Sequence, residues 1–379
     1  MGPLADLKIV EFAAIGPVPM CGMLMADAGA TVLRIDRTKD VELGTRRPPR
    51  FELLKRGRTS VALDAKSPEG RALILEIVRN ADVLLEGFRP GVMERLGLGP
   101  EPCLEVNPRL VYARMTGWGQ TGPLAHVAAH DINYVALTGA LAAMGRKEGA
   151  PAVPLNLVGD FGGGALYLAF GVLAAVMEAR GSGRGQVVDC AITDGVLSLM
   201  TMFFGARAAG MWNLARASNV IDSGAPFYDV YECADGGWVS IGAIETRFYD
   251  ELVTRMGLNA STLPDRSDRQ NWTELRQIFE QVFRQKSRDQ WCEILEGTDS
   301  CFAPVLDMDE ALVHPHLKAR AAFESVDGVV QPVPAPRFSR TPTAVSSTVP
   351  RLTGREALRA WLGEERLVQF ENENLLAPL

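Results

Sequence analysis

The sequence predicts an α/β protein: a Rossmann-like large domain built on a parallel sheet, followed by a smaller α+β domain. Three observations carry this. Between Leu7 and Ile192, short β-branched runs alternate with apolar helical stretches. A tight Asp235-Gly236 hairpin then appears, with helices after it. Finally, 379 residues are more than one ordinary core accommodates.

In order, Leu7–Phe12 reads as a strand, Met20–Asp27 as an apolar helix after the Gly16-Pro17-Val18-Pro19 turn, and Thr31–Asp36 as a second strand, which makes a βαβ unit. Ser60–Asp64 is the next strand. Ser67 then caps a helix running to about Asn80, with Pro68 at its first position. Strands at Asp82–Phe88 and Leu110–Met115 continue the alternation. Phe161–Met177 is apolar without a charge, but Asp160 stands at one end and Glu178 and Arg180 at the other, and the run is shorter than the ~20 residues of a membrane span. A buried helix is expected, and no membrane span. Gly181-Ser182-Gly183 ends it, and Gly185–Ile192 is a strand.

An apolar helix from Asp194 to about Gly210 closes a large domain of residues 1–210, and 211–224 reads as a linker. Phe227–Cys233 and Trp238–Ile244 form the hairpin, helices follow at about Thr246–Met256 and Asn271–Leu295, and 225–330 is the small domain. Residues 331–379 are a C-terminal segment, proline-rich at Gln331–Pro342 and then one amphipathic helix over Gly354–Phe370.

Composition bounds the function. With 47% apolar and 22% charged residues the chain is of ordinary soluble type, and a net charge of −7 argues against a general nucleic-acid or membrane-surface binder. Six cysteines without CxxC spacing fit a reducing, cytoplasmic setting and no metal site. His314-Pro315-His316 lacks a third ligand nearby. The first residues show no basic region before a hydrophobic block, so no signal peptide is expected, and Ala377-Pro378-Leu379 is unlike a peroxisomal tripeptide.

Chemistry concentrates in two stretches, Asn156–Leu166 and Ala129–Tyr134. Asp160 stands among glycines at what reads as a helix start, where unpaired amides and the macrodipole favour negative charge. As a plain N-cap it needs no further role; as a base facing a pocket it makes, with His130, the two bases of a proton-transfer enzyme. The three glycines after it suit a ligand lying close to bare backbone. Between Arg34 and Arg58 nine basic residues stand beside four acidic ones, either a solvated loop paired with acids elsewhere or a phosphate site. Gly117–Gly122 matches GxGxxG, but Pro123 follows and no acid stands about 20 residues on, so NAD is rejected. Glu245, by default, is an acid favoured in the first turn of a helix.

Taken together, Val32–Arg37, Glu86–Gly97, Met115–Gly122, His130–Tyr134, Asn156–Gly164 and Gly242–Glu245 resemble the family III CoA-transferase superfamily, from about Leu4 to Thr341, and within it the racemase branch. The resemblance implies His130 and Asp160 as an acid/base pair, with Glu245 holding the imidazole. It implies CoA contacts at Arg37, at Leu63, Asp64, Ala65 and Lys66, at Gly87, Phe88 and Arg89, at Arg95, and along Ala129, Asp131, Ile132, Asn133 and Tyr134. It also implies an interlocked homodimer with each active site between subunits, an acyl-CoA thioester as substrate, and no cofactor beyond the CoA that the substrate carries. The transferases of the same superfamily use the matching aspartate as a nucleophile that forms an acyl anhydride, which is the competing reading; a CoA-binding protein without catalysis is a third. Thr38–Arg50 and the tail beyond Thr341 match nothing in the pattern.

Inverting a centre beside a thioester requires a base on each face, and general bases worth about 10²–10⁴-fold do not suffice alone. The negative enolate oxygen must be held as well, and amides around Phe161 and Gly162 are the candidates.

Overall fold

The computed structural model describes residues 2–39, 47–348 and 352–372. The chain divides into two compact units. The first takes residues up to 138, 155–199 and those from 320 on; the second takes 139–154 and 200–319.

In the first unit, β1 (Lys8–Phe12), α1 (Pro17–Asp27), β2 (Thr31–Asp36), β3 (Thr59–Ala62), α2 (Pro68–Arg79), β4 (Val83–Glu86), α3 (Val92–Arg95), α4 (Pro100–Val106), β5 (Val111–Thr116) and α5 (Asp131–Leu137) follow one another. Later come α6 (Ala140–Ala143) in the second unit, then α7 (Tyr167–Ser182), β6 (Val187–Ala191) and α8 (Ile192–Leu199) in the first. Six strands form a parallel sheet in the order β3-β2-β1-β4-β5-β6. This is the doubly wound order, and the chain reverses direction across the sheet between β1 and β4. Every residue of β4 and all but the ends of β1 and β5 are buried, the continuous burial of strands covered on both faces. Ser67 caps α2 as its sequence predicts, its hydroxyl accepting the Gly70 N–H at 2.9 Å.

The long apolar helix differs from its expectation. It begins at Leu157, not after Asp160, and Leu157–Leu166 is wound as a π-helix before α7 continues. Asn156 holds the cap position, so Asp160 lies within the first turn. The glycines serve packing rather than a ligand. A Cβ on Gly163 would stand 2.6 Å from Val196 Cγ2, and one on Gly195 would stand 1.8 Å from the Gly163 carbonyl oxygen, so α8 rests directly on π-turn backbone. Nor is the helix buried throughout: Phe170 is 72% and Met177 77% exposed, and Leu157 and Leu166 are exposed too. Among the described residues Leu157–Ser182 is one stretch long and apolar enough to cross a membrane.

Part of the basic stretch serves the fold. Arg56 grips Asp27, with Nη2 2.5 Å from Oδ2, and reaches Gln331 at 2.8 Å; Arg58 Nε stands 3.2 Å from Glu11; Arg34 pairs with Asp36 at 2.7 Å. Asp40, Glu42 and Arg46, counted with that stretch, lie outside the described residues.

The second unit contains α9 (Thr201–Ala208), β7 (Tyr228–Glu232), β8 (Trp238–Gly242), α10 (Thr246–Arg255), α11 (Trp272–Phe283), α12 (Arg288–Leu295) and β9 (Phe302–Val305). Its sheet is antiparallel, ordered β7-β8-β9, around an aromatic core in which Tyr231 stacks on Phe283 at 5.1 Å. The helix expected from Asp194 to Gly210 breaks at Met200, where the units divide, and Gly139–Pro154 joins the second unit although the sequence boundaries place it in the large domain. The run Asn271–Leu295 is likewise two helices, the second capped by Ser287.

Past the division at 319/320 the chain rejoins the first unit. The single helix expected over Gly354–Phe370 is two, α13 (Gly354–Leu362) and α14 (Glu364–Asn372), because Gly363 takes φ 82° and ends the first. Ala357, Leu358, Trp361, Leu367 and Phe370 are buried in one core with Val61, Leu73 and Ile77.

Candidate active site

The carboxyl ends of a parallel sheet leave a crevice where the strand order reverses, because neighbouring loops there depart to opposite faces. A cavity of about 530 Å³ lies at that place. Its walls come from the segment after β1 (Ala13–Val18), Arg37 after β2, Gly87–Arg89 after β4, Thr116–Trp118 at the end of β5, and the start of α5. Asp160 and Ile192 complete it, and every lining residue belongs to the first unit.

His130 is exposed at the N-cap of α5, its main-chain N–H donating to Asn133 Oδ1 at 3.1 Å. Tyr134 turns its hydroxyl back to the Ala129 carbonyl at 2.6 Å and packs edge-on against Trp118, ring centres 4.7 Å apart. Asp160 is half-buried, and its main-chain N–H donates to Asp131 Oδ1 at 2.6 Å. Against its carboxyl lies Gly16, in the left-handed region at φ 68°; a Cβ there would stand 2.7 Å from Asp160 Oδ2. Two helices, α1 and α5, start at this wall.

The electrostatics follow from that packing. Burial pushes the Asp160 carboxyl up to about 6, and the neighbouring Asp131 adds to the rise, while a hydrogen bond from Asn156 and the His130 charge pull it down. His130 and Asp160 line the same cavity. Burial also raises Asp131 and Tyr134 above their ordinary values. A carboxyl poised near 6 holds a proton in part of the population at neutrality and gives it up readily, which suits a group that both takes and donates.

The structure brings together Arg37, Gly87, Phe88, Arg89, Ala129, His130, Asp131, Tyr134 and Asp160 on one cavity. The Arg37 guanidinium lies 5.7 Å from the Phe88 ring centre. Other expected residues stand elsewhere. Leu63 is buried in the core, Ala65 packs against it, and Asp64 and Lys66 are exposed beside β3. Arg95, Ile132 and Asn133 do not line the cavity; Asn133 serves instead as the cap partner of His130. Glu245 is an exposed residue of the second unit at the N-cap of α10, its carbonyl accepting the Phe248 and Tyr249 N–H groups. The amides of Phe161 and Gly162 are not free for an enolate oxygen. Phe161 N–H donates to the Asn156 carbonyl at 3.1 Å, and the π-winding gives that of Gly162 to Leu157. Gly117–Gly122 is an irregular loop, with no helix before α5.

Sequence reasoning missed Gly16 and Trp118. The Gly-Pro-Val-Pro run was itself a signal for Gly16, since a glycine before a helix-starting proline marks a turn that other residues enter poorly. Trp118 gave no comparable signal.

Fold and site together define a doubly wound α/β protein with an imidazole and a carboxyl pushed up to about 6 on its switch-point crevice. The sequence matches CoA-transferase family III over residues 4–356, and the chain belongs to that family. It is 41% identical over 379 residues to the α-methylacyl-CoA racemase of Mus musculus, covering 98% of this chain and 97% of that protein. To the Homo sapiens α-methylacyl-CoA racemase it is 41% identical over 346 residues, 90% of this chain and 88% of the other. A crystal structure of a CAIB/BAIF family protein from Brucella suis superimposes with a TM-score of 0.80 at 26% identity, covering 95% of this chain and 99% of that one.

Proposed function

We propose that this protein is a racemase that interconverts (2R)- and (2S)-2-methylacyl-CoA thioesters by 1,1-proton transfer through an enolate. The observation that carries the reading is the pairing on one cavity of His130 with an Asp160 carboxyl pushed up to about 6. Relatives of nearly equal length that bear the racemase name support it.

In one direction the His130 imidazole takes the α-proton and protonated Asp160 returns one to the opposite face; in the other the roles exchange. Each turnover leaves both groups with their protonation swapped, and an Asp160 carboxyl pushed up to about 6 resets through solvent with little cost. The dipoles at the starts of α1 and α5 favour the transient negative oxygen, the part first assigned to the amides of Phe161 and Gly162. Arg37 and Arg89 offer charge to CoA phosphates at the mouth of the cavity. No cofactor is needed beyond the CoA of the substrate.

Glu245 orients the imidazole in this reading, delivered by the second unit of a partner chain in an interlocked homodimer. The apolar side chains left in water at Leu166, Phe170 and Met177 support such an interface, since a surface of that kind is costly to leave uncovered. Phe170→Asp with Met177→Asp is expected to halve the mass seen in sedimentation and to abolish turnover. The six free thiols suit a cytoplasmic location.

The deciding experiment incubates the protein with one enantiomer of a 2-methylacyl-CoA in D₂O, without any acceptor. Deuterium at the α-carbon together with loss of optical purity is the expected result. A hydroxylamine-sensitive acyl-enzyme on Asp160, with no exchange, would replace the racemase by a transferase.

A further inference from the structure

Asp131 was expected among the CoA contacts, yet its carboxylate is turned to another task. Oδ1 accepts the Asp160 main-chain N–H at 2.6 Å, while Oδ2 is buried and has no hydrogen-bond partner. The fit is close on the other side as well: a Cβ on Gly159 would stand 2.2 Å from Asp131 Oδ1 and 2.9 Å from Val135 Cγ2. An amide in the first turn of a helix has no helical acceptor, so the carboxylate supplies the one that is missing and ties α5 to the π-turn. A buried carboxylate oxygen without a donor is an expensive arrangement for a purely structural tie, which a neutral acceptor would make at lower cost.

We propose that Asp131 is a positioning residue for the proton transfer assigned above to Asp160: Oδ1 fixes the π-turn that bears the carboxyl, and the unpaired Oδ2 leaves a charge to bias it. The inference rests on the racemase reading and deepens it. The surroundings give the charge its reach. The titratable groups acting on Asp160 are Asp131 and His130, while Tyr134 on α5 feels Asp160, Asp131 and Arg89. From α1 and α8 the cavity receives Pro17, Val18 and Ile192, which carry no charge. Asp189 of β6 and Asp194 of α8 act on Cys190. Without an arginine against it, the charge of Asp131 favours a proton on Asp160, the state required whenever His130 acts as base.

Asp131→Asn keeps an oxygen for the Asp160 amide and removes the charge. The acid limb of the pH profile of kcat/KM for α-deuterium exchange is expected to move to lower pH, with KM for the acyl-CoA within about twofold of wild type. Asp131→Ala and Gly159→Ala, which remove or displace the anchor, should lower kcat by about tenfold or more at similar KM. A profile for Asp131→Asn that superimposes on wild type, or a loss carried by KM alone, overturns the inference. Carbon-13 titration of the Asp160 carboxyl separates this failure from that of the racemase reading, because it needs no substrate. A midpoint that falls in Asp131→Asn supports the inference even in a protein that exchanges nothing, and an unchanged midpoint sinks it even in an active racemase.

Discussion

Two groups of acids withdrawn from water differ in what faces them. At the sheet, Glu11 meets Arg58, Asp27 meets Arg56, and Glu86 meets Arg114 at 2.9 Å, while the same guanidinium also reaches the exposed Glu94 at 2.7 Å. Burial raises Glu86 to about 7, but its backbone bond to Phe88 and then Arg114 oppose the rise. At the cavity, Asp160 and Asp131 face each other, and the opposing pulls on Asp160 come from Asn156 and His130. The same residue type thus has two uses. Where a guanidinium stands against it, the carboxylate locks a loop or strand end in place, as Glu86 does by accepting the Phe88 N–H at 2.7 Å. Asp160 has no guanidinium against it and lines the cavity, so its proton is within reach of a substrate.

The comparison breaks most sharply at the cavity. Asp160→Ala or His130→Ala should reduce deuterium exchange and racemisation by about 10²–10⁴-fold while the protein still binds CoA, measured by calorimetry. Full turnover in His130→Ala would remove the two-base scheme. On the sheet side, Arg58→Ala strands Glu11 in the interior and should cost about 3–5 kcal/mol, read from the denaturant midpoint, with the shape of the activity pH profile unchanged. A shifted profile would show that the two groups of acids are coupled. Gly16→Ala tests the boundary between stability and chemistry. Its Cβ collides with the Asp160 carboxyl and strains a left-handed turn, so kcat should fall by about tenfold or more beside a loss of about 1 kcal/mol. The smallest effect is expected at the mouth: Arg37→Ala should raise KM about tenfold and leave kcat nearly unchanged, as for a group that binds substrate and transition state alike.

Much of this was legible in the chain. Alternating strands and helices, the Ser67-Pro68 cap and the Asp235-Gly236 turn are local signals, and the strands and hairpin they predict stand within a few residues of their places. His130 and Asp160 were legible as a pair because both sit among turn and cap residues, and the motifs around them resemble one family. The π-turn was not legible. Its glycines read as room for a ligand at a helix start, and only contact with Val196 and Gly195 shows that backbone packing requires them. The basic stretch left two readings open for a related reason, since charge counts do not say which acids Arg56 and Arg58 find, and these are the distant Asp27 and Glu11.

By itself, then, the sequence determined the order of the main strands, the two stretches that bring His130 and Asp160 to one cavity, and the family, because periodicity, capping and motif spacing are written within a few residues of one another. Tertiary structure alone decided which carboxylates are sealed by arginine and which are left open. It also decided that Asp131 holds the Asp160 amide and that Phe161 and Gly162 spend their N–H groups within the helix. Those outcomes depend on which residues meet after the chain has crossed the sheet, and on how much water the meeting excludes.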